Sequence, residues 1–147
     1  MNKILLIATV ILSALTFASC SDDAPAQLIW EFSNYDNKEI TAVYAPDYFN
    51  QVQVVASPDY TGEITLKCTN YTALSFKANS ADGSFKSAST GCTVIKVNDN
   101  TLKISFTQIE DVGAEGIYDT FIVEGISGKN MNSTNISVGR ISNEKQK

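Results

Sequence analysis

Histidine is missing altogether from the chain. That removes the commonest general base and every Ser-His or Cys-His nucleophile arrangement. Glycine and proline are scarce, at eight and three residues, and no glycine-rich phosphate loop follows a strand-like run. Neither a HExxH zinc motif nor an EF-hand calcium loop is present. Basic residues are outnumbered, 11 against 16 acids for a net charge of −5. The lysines are scattered, whereas phosphate backbones demand clustered Lys and Arg, so nucleic acid is a poor partner. Two cysteines in the body of the chain, Cys68 and Cys92, without any histidine also make a poor zinc site, because structural zinc usually takes four Cys/His ligands. No cofactor is implied.

The one long hydrophobic run is at the start. Asn2 and Lys3 give a polar, positive beginning, Ile4 to Ala18 follow without a charge, and the small residues Ala18 and Ser19 precede Cys20. Charged start, apolar middle and small residues at the cut make a secretory signal peptide over residues 1–19. A membrane span needs about 20 apolar residues; this run is shorter, and Thr9, Ser13 and Thr16 interrupt it. Its removal takes Lys3 and makes the chain one charge more negative.

The segment Thr16-Phe17-Ala18-Ser19-Cys20 resembles a lipobox, at which bacterial lipoproteins are acylated on cysteine and cut just before it, although Phe17 stands where leucine is usual. The resemblance implies covalent lipid on Cys20. Each buried methylene contributes about 0.8 kcal/mol, so one chain binds marginally and several hold stably. The following Ser21, Asp22 and Asp23 resemble the acidic export signal of surface-exposed lipoproteins of the Bacteroidota type, with a shorter acidic run than is common there. This implies an outer-membrane, surface-exposed protein whose membrane contact is the lipid anchor. The alternative is a plain solvated tether facing the periplasm. The resemblance reaches only to about residue 24.

With Cys20 acylated, Cys68 and Cys92 remain in an oxidising envelope, where disulfides persist. A bridge between them would constrain the unfolded chain by roughly 3 kcal/mol; two separate buried thiols are the other reading.

After a tether (residues 20–27), the body of the chain alternates with period two, the signature of half-buried strands. Leu28, Trp30 and Phe32 share a face, as do Val52, Val54 and Ala56; Ile64, Leu66 and Cys68; Leu102, Ile104 and Phe106; and Ile136 and Val138. Turn-forming Asn, Asp, Gly and Pro cluster between these runs, and "VNDNTL" (97–102) is the best hairpin. No window outside the leader shows helical periodicity. Residues 28–142 are expected to form one all-β domain, an antiparallel immunoglobulin-like β-sandwich, with a frayed end at 143–147. The antibody hallmark is absent, because Trp30 precedes both cysteines, which are too close in sequence to bridge distant strands. If Ile95 and Val97 face the core, Cys92 falls on the opposite face unless a bulge intervenes.

Two groups are candidates for chemistry. Glu110, Asp111, Glu115 and Asp119 form an acidic stretch that could gather around calcium or supply paired carboxylates for hydrolysis, but reads most simply as a solvated loop. Tyr44, Tyr48, Phe49, Tyr60 and Tyr118 lie in or near turns, and offer rings plus hydroxyls for recognising a glycan or a protein. Their competing role is to cap the ends of the core. The triplets at Asn70, Asn132 and Asn135 match N-glycosylation sites but read here as turn and strand residues. The function expected is therefore a lipid-anchored, non-enzymatic binding module for a glycan or envelope protein. A structural subunit of an envelope complex or surface filament, and a carboxylate-based hydrolase, are the alternatives.

Overall fold

A computed structural model describes residues 25–45, 51–110, 112–113 and 115–142. The signal peptide, Cys20, Ser21, Asp22, Asp23, Tyr48, Phe49, Asp111 and the tail from residue 143 lie outside the described residues. The strands are β1 (Trp30–Ser33), β2 (Ile40–Ala45), β3 (Gln51–Ala56), β4 (Glu63–Cys68), β5 (Ala73–Phe76), β6 (Phe85–Ser87), β7 (Cys92–Asn98), β8 (Thr101–Phe106), β9 (Ile117–Ser127) and β10 (Asn130–Arg140). They make two five-stranded sheets: sheet I in the order β1-β4-β8-β7-β6 and sheet II in the order β2-β3-β10-β9-β5. The protein is all-β and a single-domain sandwich.

The core is what the alternation specifies. Trp30, Ile64, Leu66, Cys68, Val94, Leu102 and Ile104 from sheet I meet Val52, Val54, Phe121, Val123, Ile136 and Val138 from sheet II, all buried. The Trp30 indole N–H, inside this core, donates to Thr134 Oγ1 across the sheets at 3.4 Å, which satisfies a polar group that burial would otherwise penalise. The Phe85 and Phe121 rings stack across the sheets at 5.1 Å between centroids.

One expectation about pairing needs correction, and one register left open is resolved. Sheet II is mixed, because β10 runs parallel to β3, from Asn135↔Gln51 to Arg140↔Ala56. Parallel neighbours need a long crossover, and here strands β4 to β9 supply it. The second concerns β7. Cys92 pairs with Phe106 and Val94 with Ile104, so the inward face is that of Cys92 and Val94, while Ile95 and Val97 are exposed. No bulge is needed to bring Cys92 inward, and the one register shift of this pair lies between Lys96 and Asn98, at the hairpin end.

The same register rules out the disulfide. Cys68 donates its backbone N–H to Asn100, before β8, whereas Cys92 pairs with Phe106 at the far end of β8. Six residues of strand separate these points by roughly 20 Å, and a bridge needs Cα atoms within about 7 Å. Both thiols are free and buried, and burial raises both of their pKa values.

The start of the domain is held by side chains that sequence patterning passed over. Tyr71 donates its hydroxyl to the Ala26 carbonyl, Asn70 Nδ2 donates to Gln27 at 2.6 Å, and Asn132 Nδ2 donates to Pro25 at 3.1 Å. Asn70 also accepts the Ile29 N–H at 2.9 Å. The tether is thus tied down from residue 25 onward.

Candidate functional site

The outer faces of the two sheets differ in chemistry. On sheet I, Glu31 sits opposite Lys67 in register, and Lys103 reaches Glu63 at 3.3 Å. Lys86 on the edge strand bonds Asp82 at 2.9 Å. These are exposed opposite charges, an ordinary solvated face.

On sheet II the register assembles outward positions into rows. Val43, Gln53, Ser137 and Thr120 form one row across β2, β3, β10 and β9, and Ala45, Gln51, Asn135 and Ile122 form the next. Ser133, Glu124 and Ser75 continue the face across β10, β9 and β5. Amides, hydroxyls and apolar groups dominate it, and Glu124 is the one ionised side chain among the described outward positions of these five strands. Beside Glu124 lies an open depression of about 340 Å³, lined by Ser75, Phe76, Lys77 and Ile122.

Tyr118 joins this face at the row of Gly139, its partner on β10. A Cβ on Gly139 would stand 2.5 Å from two carbons of the Tyr118 ring. The absence of a side chain at 139 is therefore what lets the ring lie over β10, with 44% of the residue still exposed. A ring supported by a glycine across a strand pair can present its outer side to a ligand.

The other aromatic candidates have structural work. Tyr44 is half-buried against the core and donates its hydroxyl to the Leu28 carbonyl. Tyr60 packs edge-on against Phe106, with centroids 5.6 Å apart. Of the three aromatic candidates among the described residues, only Tyr118 lies on the sheet II face; Tyr48 and Phe49 lie outside the described residues. The acidic candidates are not gathered: Glu110 and Glu115 are exposed, while Asp119 is half-buried on the opposite side of β9 from Tyr118. Among the described residues no three Cys, Asp or Glu side chains converge to hold a metal ion.

Arg140 is the polar centre that sequence reasoning missed. It is fully buried, yet Nε donates to Thr90 O at 2.8 Å, Nη1 to Tyr60 O at 3.1 Å and also to Ser57 O, and Nη2 to Thr107 O. Its guanidinium lies 4.8 Å from the Phe106 ring centroid. The signal was available, because residue 140 continues the inward stripe of Ile136 and Val138. Four carbonyls from three loops take four of the five N–H donors of the guanidinium, so it ties these loops together at one end of the sandwich. Comparison with family models, curated proteins and solved structures finds no match for the chain.

Proposed function

We propose that the protein is a non-enzymatic binding module, held to the outer membrane by lipid on Cys20 and displayed at the cell surface, which binds an uncharged glycan on the outer face of sheet II. The observation that carries this reading is the segregation of charge: sheet I is laced with opposite charges, while the broader face of sheet II is almost without ions in a chain of net charge −5. Ordinary solvated surfaces mix charged residues of both signs. A face of amides and hydroxyls beside an aromatic ring instead matches a ligand with hydroxyl groups and apolar ring faces. Gln51, Gln53 and Asn135 supply paired donors and acceptors, and Tyr118 and Ile122 supply apolar support.

The test is a glycan array of neutral and acidic polysaccharides, probed with the mature protein and with Tyr118→Ala and Gln53→Ala. Binding to neutral chains, weakened about tenfold by either substitution, supports the reading. Binding confined to acidic chains, or turnover of a polysaccharide, overturns it. Mass spectrometry of Cys20 and protease shaving of intact cells test the anchor and the exposure.

A further inference from the structure

The chain enters the domain at the end where β9 turns into β10 through Gly128 and Lys129. Asn132 Nδ2 donates to Pro25 O at 3.1 Å and to Ala26 O at 3.2 Å, and Tyr71 donates its hydroxyl to the Ala26 carbonyl. These bonds fix where the tether meets the sandwich. Cys20 stands five residues before Pro25 in sequence, and five residues span at most about 18 Å when fully extended. Along β10, the eight steps from Asn132 to Arg140 cover roughly 26 Å. Lipid on Cys20 therefore reaches the β9–β10 end and falls short of the Arg140 end.

That end is poor in charge and carries apolar side chains in water. Residues 25–30, 68–73 and 125–134 meet there, through the bonds above and those of Asn70 to Gln27 O and Thr72 to Ile126 O. Together they hold one charged side chain, Lys129, in a chain of net charge −5. Met131 pairs with Ile126 and Ile126 with Ala73, so these three form the outward row nearest the turn. Met131 is 57% exposed and Ile126 36%. The turn between β7 and β8, tied to this end by Leu74 N–H to Asp99 O and Lys96 Nζ to Leu74 O, adds the exposed Val97. Apolar side chains gathered in one place, unlike single ones scattered over a surface, mark an interaction site.

We propose that this end docks on the phospholipid surface, with Met131 and Ile126 entering the headgroup boundary and Lys129 facing lipid phosphates. The proposal rests on the reading that Cys20 carries lipid. Such a contact needs little affinity of its own, because the anchor already holds the tip within reach and makes the binding intramolecular. Met131 and Ile126 add buried apolar surface, and Lys129 adds attraction to anionic headgroups. A domain lying flat would instead press the ion pairs of sheet I or the amides of sheet II against lipid, at the cost of their hydration. Docked at its tip, the domain stands away from the membrane. Tyr118, in the row of Gly139, is then eight residues along β10 from Met131, roughly 26 Å from the contact. The face of sheet II assigned to glycan is left open to its ligand.

The experiment uses the full acylated protein in vesicles of phosphatidylethanolamine and phosphatidylglycerol, with flotation measured first. A fluorophore is attached at Asn130→Cys, at the tip, or at Ser89→Cys, beside Thr90 at the Arg140 end; both positions are exposed, whereas Cys68 and Cys92 are buried. Nitroxide-bearing lipids are expected to quench the tip label strongly and to leave the Ser89 label near its unquenched level. Adding Met131→Ser and Ile126→Ser should lower the ratio of docked to undocked tip about tenfold, with flotation unchanged. Both side chains are exposed, and circular dichroism checks that the doubly substituted protein folds. Flotation with equal quenching at the two labels, or tip quenching untouched by the serine pair, would overturn the docking and leave the anchor standing. Failure to float would overturn the anchor and the docking together.

Discussion

The guanidinium of Arg140 rests 4.8 Å from the centre of the Phe106 ring, so a positive charge lies against an aromatic face inside a β-sandwich. Removing the cation would leave the carbonyls of Ser57, Tyr60, Thr90 and Thr107 without this donor. Loss of one partner from a buried charged network costs about 3–5 kcal/mol. Arg140→Met is expected to lower unfolding free energy by about that amount in urea titrations. Arg140→Lys should recover less than half, because one ammonium cannot reproduce the planar fork that serves all three loops.

The thiols of Cys68 and Cys92 give a prediction that separates a bridged protein from an unbridged one. Alkylation without reductant should label neither cysteine in the native protein and both in urea, and reductant should leave the melting temperature unchanged. Burial raises both thiol pKa values above those of the unfolded chain. Their contribution is therefore complete below the unfolded thiol value of about 8.5 and is lost as pH rises beyond it, because only the unfolded state releases the protons easily. Unfolding free energy should fall between pH 8 and 9.5, and replacing both residues by alanine should flatten that slope.

How much of this was legible beforehand depended on the range of the interactions. Period-two alternation picked out Leu66, Val54, Leu102 and Val138 as core, because inward direction is a local property of a strand. The free thiols were not legible, since the separation of Cys68 from Cys92 depends on which strands neighbour β8. Short strands such as β6, three residues beside an Asn79 cap, carry too little pattern to be seen. The parallel pairing of β3 with β10 is likewise non-local. The amide-rich face emerged only once the register had aligned Gln53 with Ser137 and Gln51 with Asn135, residues more than 80 positions apart in sequence.

Asp82 organises the turn before β6. It accepts Ser84 N–H at 3.0 Å and the Lys86 ammonium at 2.9 Å, and it also bonds the Ser84 hydroxyl. These bonds, those from Ser84 and Lys86 foremost, hold its carboxyl well below the usual aspartate range. A lowered folded pKa contributes stability that is present above the unfolded value and lost as pH falls toward the folded one. Asp82→Asn should therefore be less stable than the wild type at neutral pH, with the gap closing below about pH 4, the unfolded aspartate value. Parallel acid titrations of unfolding by circular dichroism would check this, and a gap independent of pH would count against it.

Tyr118 and Gly139 form a pair whose coupling can be measured. In the wild type, a methyl at residue 139 would collide with the Tyr118 ring at 2.5 Å. The ring is half-exposed and can swing away, so Gly139→Ala should cost only about 1 kcal/mol, at the low end for overpacking. Gly139 has no positive φ to protect. In a Tyr118→Ala background the obstruction is gone, and the same substitution should stabilise by about 0.5 kcal/mol, because glycine within a strand is otherwise a liability. The double-mutant cycle is then expected to show a coupling of about 1.5 kcal/mol. Glycan binding adds a second readout: if Tyr118 contacts ligand only when laid over β10, Gly139→Ala should weaken binding nearly as much as Tyr118→Ala while leaving the tyrosine in place. Full binding by Gly139→Ala with its ring displaced would remove Tyr118 from the recognition surface.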